Sequence, residues 1–133
     1  MASNTTYNAT SLVANSASIH DLKLNSETLT AAGNASTTIP VTLINNGGNG
    51  ALAIALADGS YNGQLKVFIT TSADAHIITP VTEAGAFVTA TMTAAVGSNI
   101  TMIWLNSIGW SVLSRGSGAA QTEAAVSGLP ELA

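Results

Sequence analysis

Ser98-Asn99-Ile100-Thr101-Met102-Ile103-Trp104-Leu105-Asn106-Ser107-Ile108-Gly109-Trp110-Ser111-Val112-Leu113-Ser114 is the stretch from which the fold class is read. Ile100, Met102 and Trp104 alternate with Thr101, Ile103 and Leu105, which is the period of two that a pleated strand imposes. Asn106-Ser107-Ile108-Gly109 is rich in residues that tolerate a reversal, and Trp110, Val112 and Leu113 carry the chain back. The pattern predicts a β-hairpin. Trp104 and Trp110 flank its turn, where cross-strand aromatic packing accounts for both, so Ile100, Met102, Trp104, Trp110 and Val112 are expected to form a core hairpin.

Upstream, short β-branched runs alternate with Gly/Asn/Asp/Ser clusters. Val41-Thr42-Leu43-Ile44 ends at Asn45-Asn46-Gly47-Gly48-Asn49-Gly50, a loop that no regular element crosses intact. Ala51 to Ala57 places Leu52, Ile54 and Leu56 on one face, and after the turn cluster 58–63 Gln64 to Thr70 reads as a strand, so these two runs are expected to pair as a hairpin. His76 to Thr79 follows, then Pro80 as a strand end or edge, then Phe87 to Met92. Strand signals dominate from about residue 39 onward. The whole predicts an all-β fold, a compact antiparallel β-sandwich or barrel.

The two ends differ from this middle. Residues 1–18 are small and polar with scattered Tyr7, Leu12 and Val13; residues 116–133 open on a Gly116-Ser117-Gly118 linker and carry Leu129 and Leu132. The expected organisation is an N-terminal arm (1–18), a β core domain (19–115) and a C-terminal tail (116–133), with the extended arms ordered by docking on a partner. Tyr7, Leu12, Val13, Tyr61, Leu129 and Leu132 are the candidate interface residues.

Composition limits the function classes. Only 8% of the 133 residues are charged, against about 25% in an ordinary domain, and solubility rests instead on Ser, Thr and Asn. Covering such a surface costs little, because a hydroxyl or amide is far easier to desolvate than an ion. With no cysteine there are no disulfides or thiolate metal sites, and alanine contributes little area to the core, so oligomerisation is the expected source of added stability. Net charge is −4, and Lys23, Lys66 and Arg115 look isolated, which argues against nucleic acid and against an anionic membrane surface. The uncharged windows 28–57 and 84–114 are broken by Gly and Asn, so no membrane span is expected. Residues 1–19 have no basic region leading an apolar stretch, so no secretory signal is expected.

The titratable inventory is thin. His20-Asp21 and Asp74-Ala75-His76 are the places where a histidine has a nearby carboxylate, a spacing that does not specify a metal site. No Gly-x-Ser-x-Gly elbow is present, and the Gly-rich run at 46–50 lacks the Lys-Ser/Thr ending of a phosphate-cradling loop. The expectation is a protein without catalytic residues, metal or cofactor. An alternative reading uses Trp104 and Trp110 as a carbohydrate-stacking platform.

Leu56-Ala57-Asp58-Gly59-Ser60-Tyr61-Asn62-Gly63-Gln64, Ile77-Ile78-Thr79-Pro80, Val96-Gly97-Ser98-Asn99-Ile100-Thr101-Met102-Ile103-Trp104 and Gly109-Trp110-Ser111-Val112-Leu113-Ser114 together resemble small structural proteins of tailed bacteriophages. The likeness covers about residues 50–115. It implies a virion component made in the host cytoplasm, and small size with separate arms looks most like a capsid decoration (cement) protein on the outer capsid surface. The partners so implied are the major capsid protein and further copies of the chain, as a homotrimer. A carbohydrate-binding module of a phage tail or fibre is the alternative within the same resemblance.

Overall fold

The computed structural model describes residues 23–85 and 88–118, and these form nine strands without a helix. In chain order they are β1 (Ser26–Leu29), β2 (Gly33–Ala35), β3 (Val41–Ile44), β4 (Ala53–Leu56), β5 (Gln64–Thr70), β6 (Ile77–Pro80), β7 (Ala90–Thr91), β8 (Asn99–Leu105) and β9 (Gly109–Gly116). They build two sheets, one ordered β1-β3-β5-β8-β9 and the other β2-β4-β6-β7. The sheets pack as a sandwich and do not close into a barrel. Residues 1–22 and 119–133, hence Tyr7, Leu12, Val13, Leu129 and Leu132, lie outside the described residues, as do residues 86 and 87.

The strands are mixed in direction, which corrects the expected antiparallel arrangement. From β1 to β6 the chain switches sheet at every strand, so β1, β3 and β5 stack in parallel on one side and β2, β4 and β6 in parallel on the other. The expected hairpin between the runs 51–57 and 64–70 does not form. Its two strands, β4 and β5, belong to opposite sheets, and the turn cluster 58–63 carries the chain across the sandwich. Antiparallel pairing begins only later, as β7 folds back on β6 and β8 on β5. Two strands upstream of residue 39 were also not anticipated. β1 (SETL) and β2 (GNA) contain few β-formers, and each is held by pairing to a neighbour far along the chain.

The β8–β9 hairpin has the predicted position. Ile100, Met102, Trp104 and Trp110 are buried, Val112 packs against them half-buried, and Trp104 faces Trp110 across the pair. Thr101 pairs with Ser114 and Met102 with Val112, leaving Leu113 as an exposed bulge. Gly109 adopts φ +112°, and a Cβ there would stand 2.8 Å from the backbone of Thr82 and Glu83. That close approach lets Trp110 N–H donate to Thr82 O and Ala84 N–H donate to Trp110 O, which laces the strap after β6 onto the edge of the other sheet. Past the boundary expected at residue 115, β9 runs on to Gly116, and Gly118 N–H donates to Ser98 Oγ at 3.1 Å.

The core lies between the sheets. Ala35, Ile54, Leu56, Ile78 and Ala90 face inward from the four-stranded sheet, against Ile44, Phe68, Ile100, Met102 and the tryptophans from the five-stranded one. Loop 57–63 closes one end: Gly59 lies so near the Trp104 indole that a Cβ would come 2.3 Å from its Cγ. Nothing larger than glycine fits there.

Candidate functional site

Four places in the fold bring together groups that do chemistry or binding. Strand β5 supplies the first. Along Gln64 to Thr70 the side chains alternate, and the phase containing Gln64, Lys66, Phe68 and Thr70 points inward. Lys66 is thereby fully buried and paired with a carboxylate, which corrects its reading as an isolated cation. Its Nζ donates to Glu27 Oε1 at 3.1 Å, Ser36 O at 2.6 Å and Ile39 O at 2.7 Å, so all three N–H bonds of the ammonium are used.

Glu27 Oε1 also accepts from Thr42 Oγ1 at 2.6 Å and from Ser36 N–H at 2.9 Å. Burial pushes the Glu27 carboxyl up, but the hydrogen bonds from Thr42, Lys66 and Ser36 outweigh it and hold the group below its ordinary value. Burial pulls the Lys66 ammonium down, and its attraction to Glu27 restores only part of that. No donor of the buried ammonium is left for a ligand, and Glu27 keeps only 18% of its side chain exposed, so this cluster fastens β1 and the β2–β3 connection to β5.

The second cluster surrounds His76, which is fully buried. Leu52 N–H donates to Nδ1 at 3.0 Å, so Nδ1 is an acceptor, and the neutral ring must carry its proton on Nε2, 3.1 Å from Ser72 Oγ. Burial holds the imidazole below its ordinary value, with the nearby Asp74 charge opposing. A general base needs a lone pair directed at the nucleophile; here Ser72 meets an N–H. The Asp74 carboxylate takes Gly50 N–H at 3.2 Å and does not orient the ring. His76 therefore ties the β5–β6 connection to the start of β4. His20 and Asp21 lie outside the described residues, and among the described residues no three His, Asp or Glu side chains converge as a metal site.

Third is the tryptophan pair. The rings lie 5.6 Å apart and tilted by 60°, Trp110 Nε1 donates to Ala57 O at 2.9 Å, and Trp104 Nε1 donates to Asn106 Oδ1 at 2.8 Å. Trp110 is wholly buried and Trp104 nearly so, which leaves no ring face for a sugar.

The surface is the fourth. Tyr61 is 62% exposed, on the rim of an open groove of about 440 Å³ that it shares with Leu24, Thr37, Pro40 and Leu65. Beside this groove lies the outer face of the five-stranded sheet, where Val41 pairs with Val67, Leu43 with Ile69 and Leu65 with Ile103. These side chains are half-buried by one another, except Leu65, which is 48% exposed. On the opposite sheet the outward positions are Asn34, Ala53, Ala55, Ile77, Thr79 and Thr91. No outward-facing position on a described strand of either sheet carries a charge. Sequence reasoning singled out Tyr61 but not this face; the signal was the aliphatic phase Leu65, Val67, Ile69.

No protein-family model matches the chain, and neither does any curated protein.

Proposed function

We propose that this protein is a structural subunit that works by covering and being covered by other protein surfaces, and specifically a capsid decoration protein of a tailed phage, seated on the outside of the head as a homotrimer. The observation that supports this reading most directly is the absence of charge from both broad faces of the described sandwich. Desolvating aliphatic, hydroxyl and amide groups costs far less than desolvating ions, so such faces are cheap to bury against a shell. Glu27, Lys66 and His76 are committed to internal hydrogen bonds.

Linkage supplies the mechanism. A protein that binds only the assembled, expanded shell stabilises it by RT ln(1 + [L]/Kd) per site, about 2.7 kcal/mol at a hundredfold excess over Kd. Engagement of several capsid subunits by one oligomer multiplies the effect through effective concentration. The test is to mix the purified full-length protein with decoration-free expanded heads, then measure co-sedimentation and the melting temperature of the shell. Saturable binding in hundreds of copies with a raised melting temperature is expected. Heads that neither bind the protein nor gain stability would defeat the proposal.

A further inference from the structure

The outer face of the five-stranded sheet has the wrong polarity for a surface that stays in water. A sheet with one solvated face alternates apolar inside with polar outside. Here β5 does the reverse: Lys66 and Gln64 point into the sandwich, while Leu65, Val67 and Ile69 point out of it. On neighbouring β3 the outward phase is again aliphatic at Val41 and Leu43, and β8 adds Ile103 and Leu105 beside the polar Asn99 and Thr101. Such a sheet is built to be covered on both sides.

We infer that further copies of this chain cover that face, and that it is the surface through which the protein self-associates. Three observations favour this occupant. Its outward positions carry no charge, so packing it against another copy strips no ion of its water, whatever the symmetry of the assembly. Its margins are polar: Ser26 and Thr28 on β1, and Ser111 and Ser114 on β9, frame the aliphatic centre, as the rim of an interface frames its core. Its size suffices. Strands about 4.8 Å apart with a rise of about 3.3 Å per residue give the five strands a plan area of roughly 500 Å². Covered by a neighbouring copy, with an equal area buried on that copy, the face gives an interface of roughly 1,000 Å² in total, the lower bound for a specific one. The four-stranded sheet, with shorter strands and Ala53 and Ala55 at its centre, offers less than half of that.

This deepens the reading of the protein as a packing module, and it can fail separately. Sedimentation equilibrium of the full-length protein is expected to show reversible association, weakened at least about 100-fold by Leu65→Lys, which sets a charge on the face at a position already half in water. Thr79→Lys, on the other sheet's outer face, leaves the association unchanged. Both variants retain the circular dichroism of the parent and, at dilutions where the parent is monomeric, its unfolding midpoint. A monomer at all concentrations overturns the inference, whether residues 1–22 or nothing covers the face; so does an oligomer indifferent to Leu65→Lys but sensitive to Thr79→Lys. Shell binding by a strict monomer sinks the inference and spares the decoration reading. Association through this face without shell binding does the opposite.

Discussion

The two sheets of this sandwich solve the same packing problem with opposite chemistry. Inside, the four-stranded sheet presents Ala35, Ile54, Leu56, Ile78 and Ala90, and outside it presents Asn34, Ala53, Ala55 and Thr79. The five-stranded sheet turns Glu27, Thr42, Gln64, Lys66 and Thr70 inward among its apolar residues and shows an aliphatic exterior. One sheet meets the core through a wholly apolar inner face. The other adds a hydrogen-bonded network that fixes which strands meet, and this works only because every member of the network has a partner. The difference teaches that the more aliphatic side of a strand is not always its core side.

The sharpest way to break the contrast is Lys66→Met. It keeps the volume but leaves Ser36 O and Ile39 O without their donor and removes the counter-charge of Glu27, which retains only the Thr42 and Ser36 hydrogen bonds, and a loss of about 3–5 kcal/mol in urea unfolding is expected. Adding Glu27→Gln should restore part of it; no recovery would mean that the buried carbonyls, not the carboxylate, dominate the cost. In the four-stranded sheet, Ile78→Ala removes only apolar contacts from a wholly buried site. Its expected cost is about 3 kcal/mol. Equal costs with and without the Lys66→Met background would show that the two inner faces contribute independently.

A smaller effect reads the polar side through pH. The folded state holds His76 below its ordinary value near 6.5, so beneath that pH the unfolded chain binds a proton that the folded chain refuses. Stability should fall as pH drops from about 6.5 toward the folded-state value, by up to about 1.4 kcal/mol per unit, the limit for one proton. Melting curves between pH 8 and 5 check this, and a slope that survives in His76→Leu would assign it elsewhere. Glu27 acts in a separate, lower window: its contribution is present above the ordinary carboxylate value and is lost as pH falls through its depressed one. The smallest effect belongs to the outer faces. Thr79→Lys should shift the unfolding free energy of the isolated chain by less than about 0.5 kcal/mol.

Much of the sandwich was legible because its signals are local. The hairpin at 98–114 declares itself through six alternating residues and a turn, and β3, β5 and β6 lie where β-branched runs end at glycine or proline. Direction was not legible. Parallel neighbours sit at unequal intervals, Ser26 to Val41 and then Val41 to Val67, so no repeat marks them. The lysine–glutamate pair spans 39 residues with no spacing rule to betray it. Residue types gave the uncharged character of the surface, but only the strand register gathers Leu65, Val67 and Ile69 with Val41, Leu43 and Ile103 on one face.

That 39-residue span also orders events during synthesis. At about 5–20 residues per second, roughly 2–8 s separate the addition of Glu27 from that of Lys66, and over that interval the glutamate has no charge partner. Until then the first strand has neither its parallel neighbours in β3 and β5 nor its charge partner, and non-local pairing of this kind is intrinsically slow. The exterior of the five-stranded sheet is therefore completed only after the chain has committed its lysine to the interior. The face through which self-association is proposed is thus among the last features of the fold to be completed, because β8 and β9 are made after every other strand.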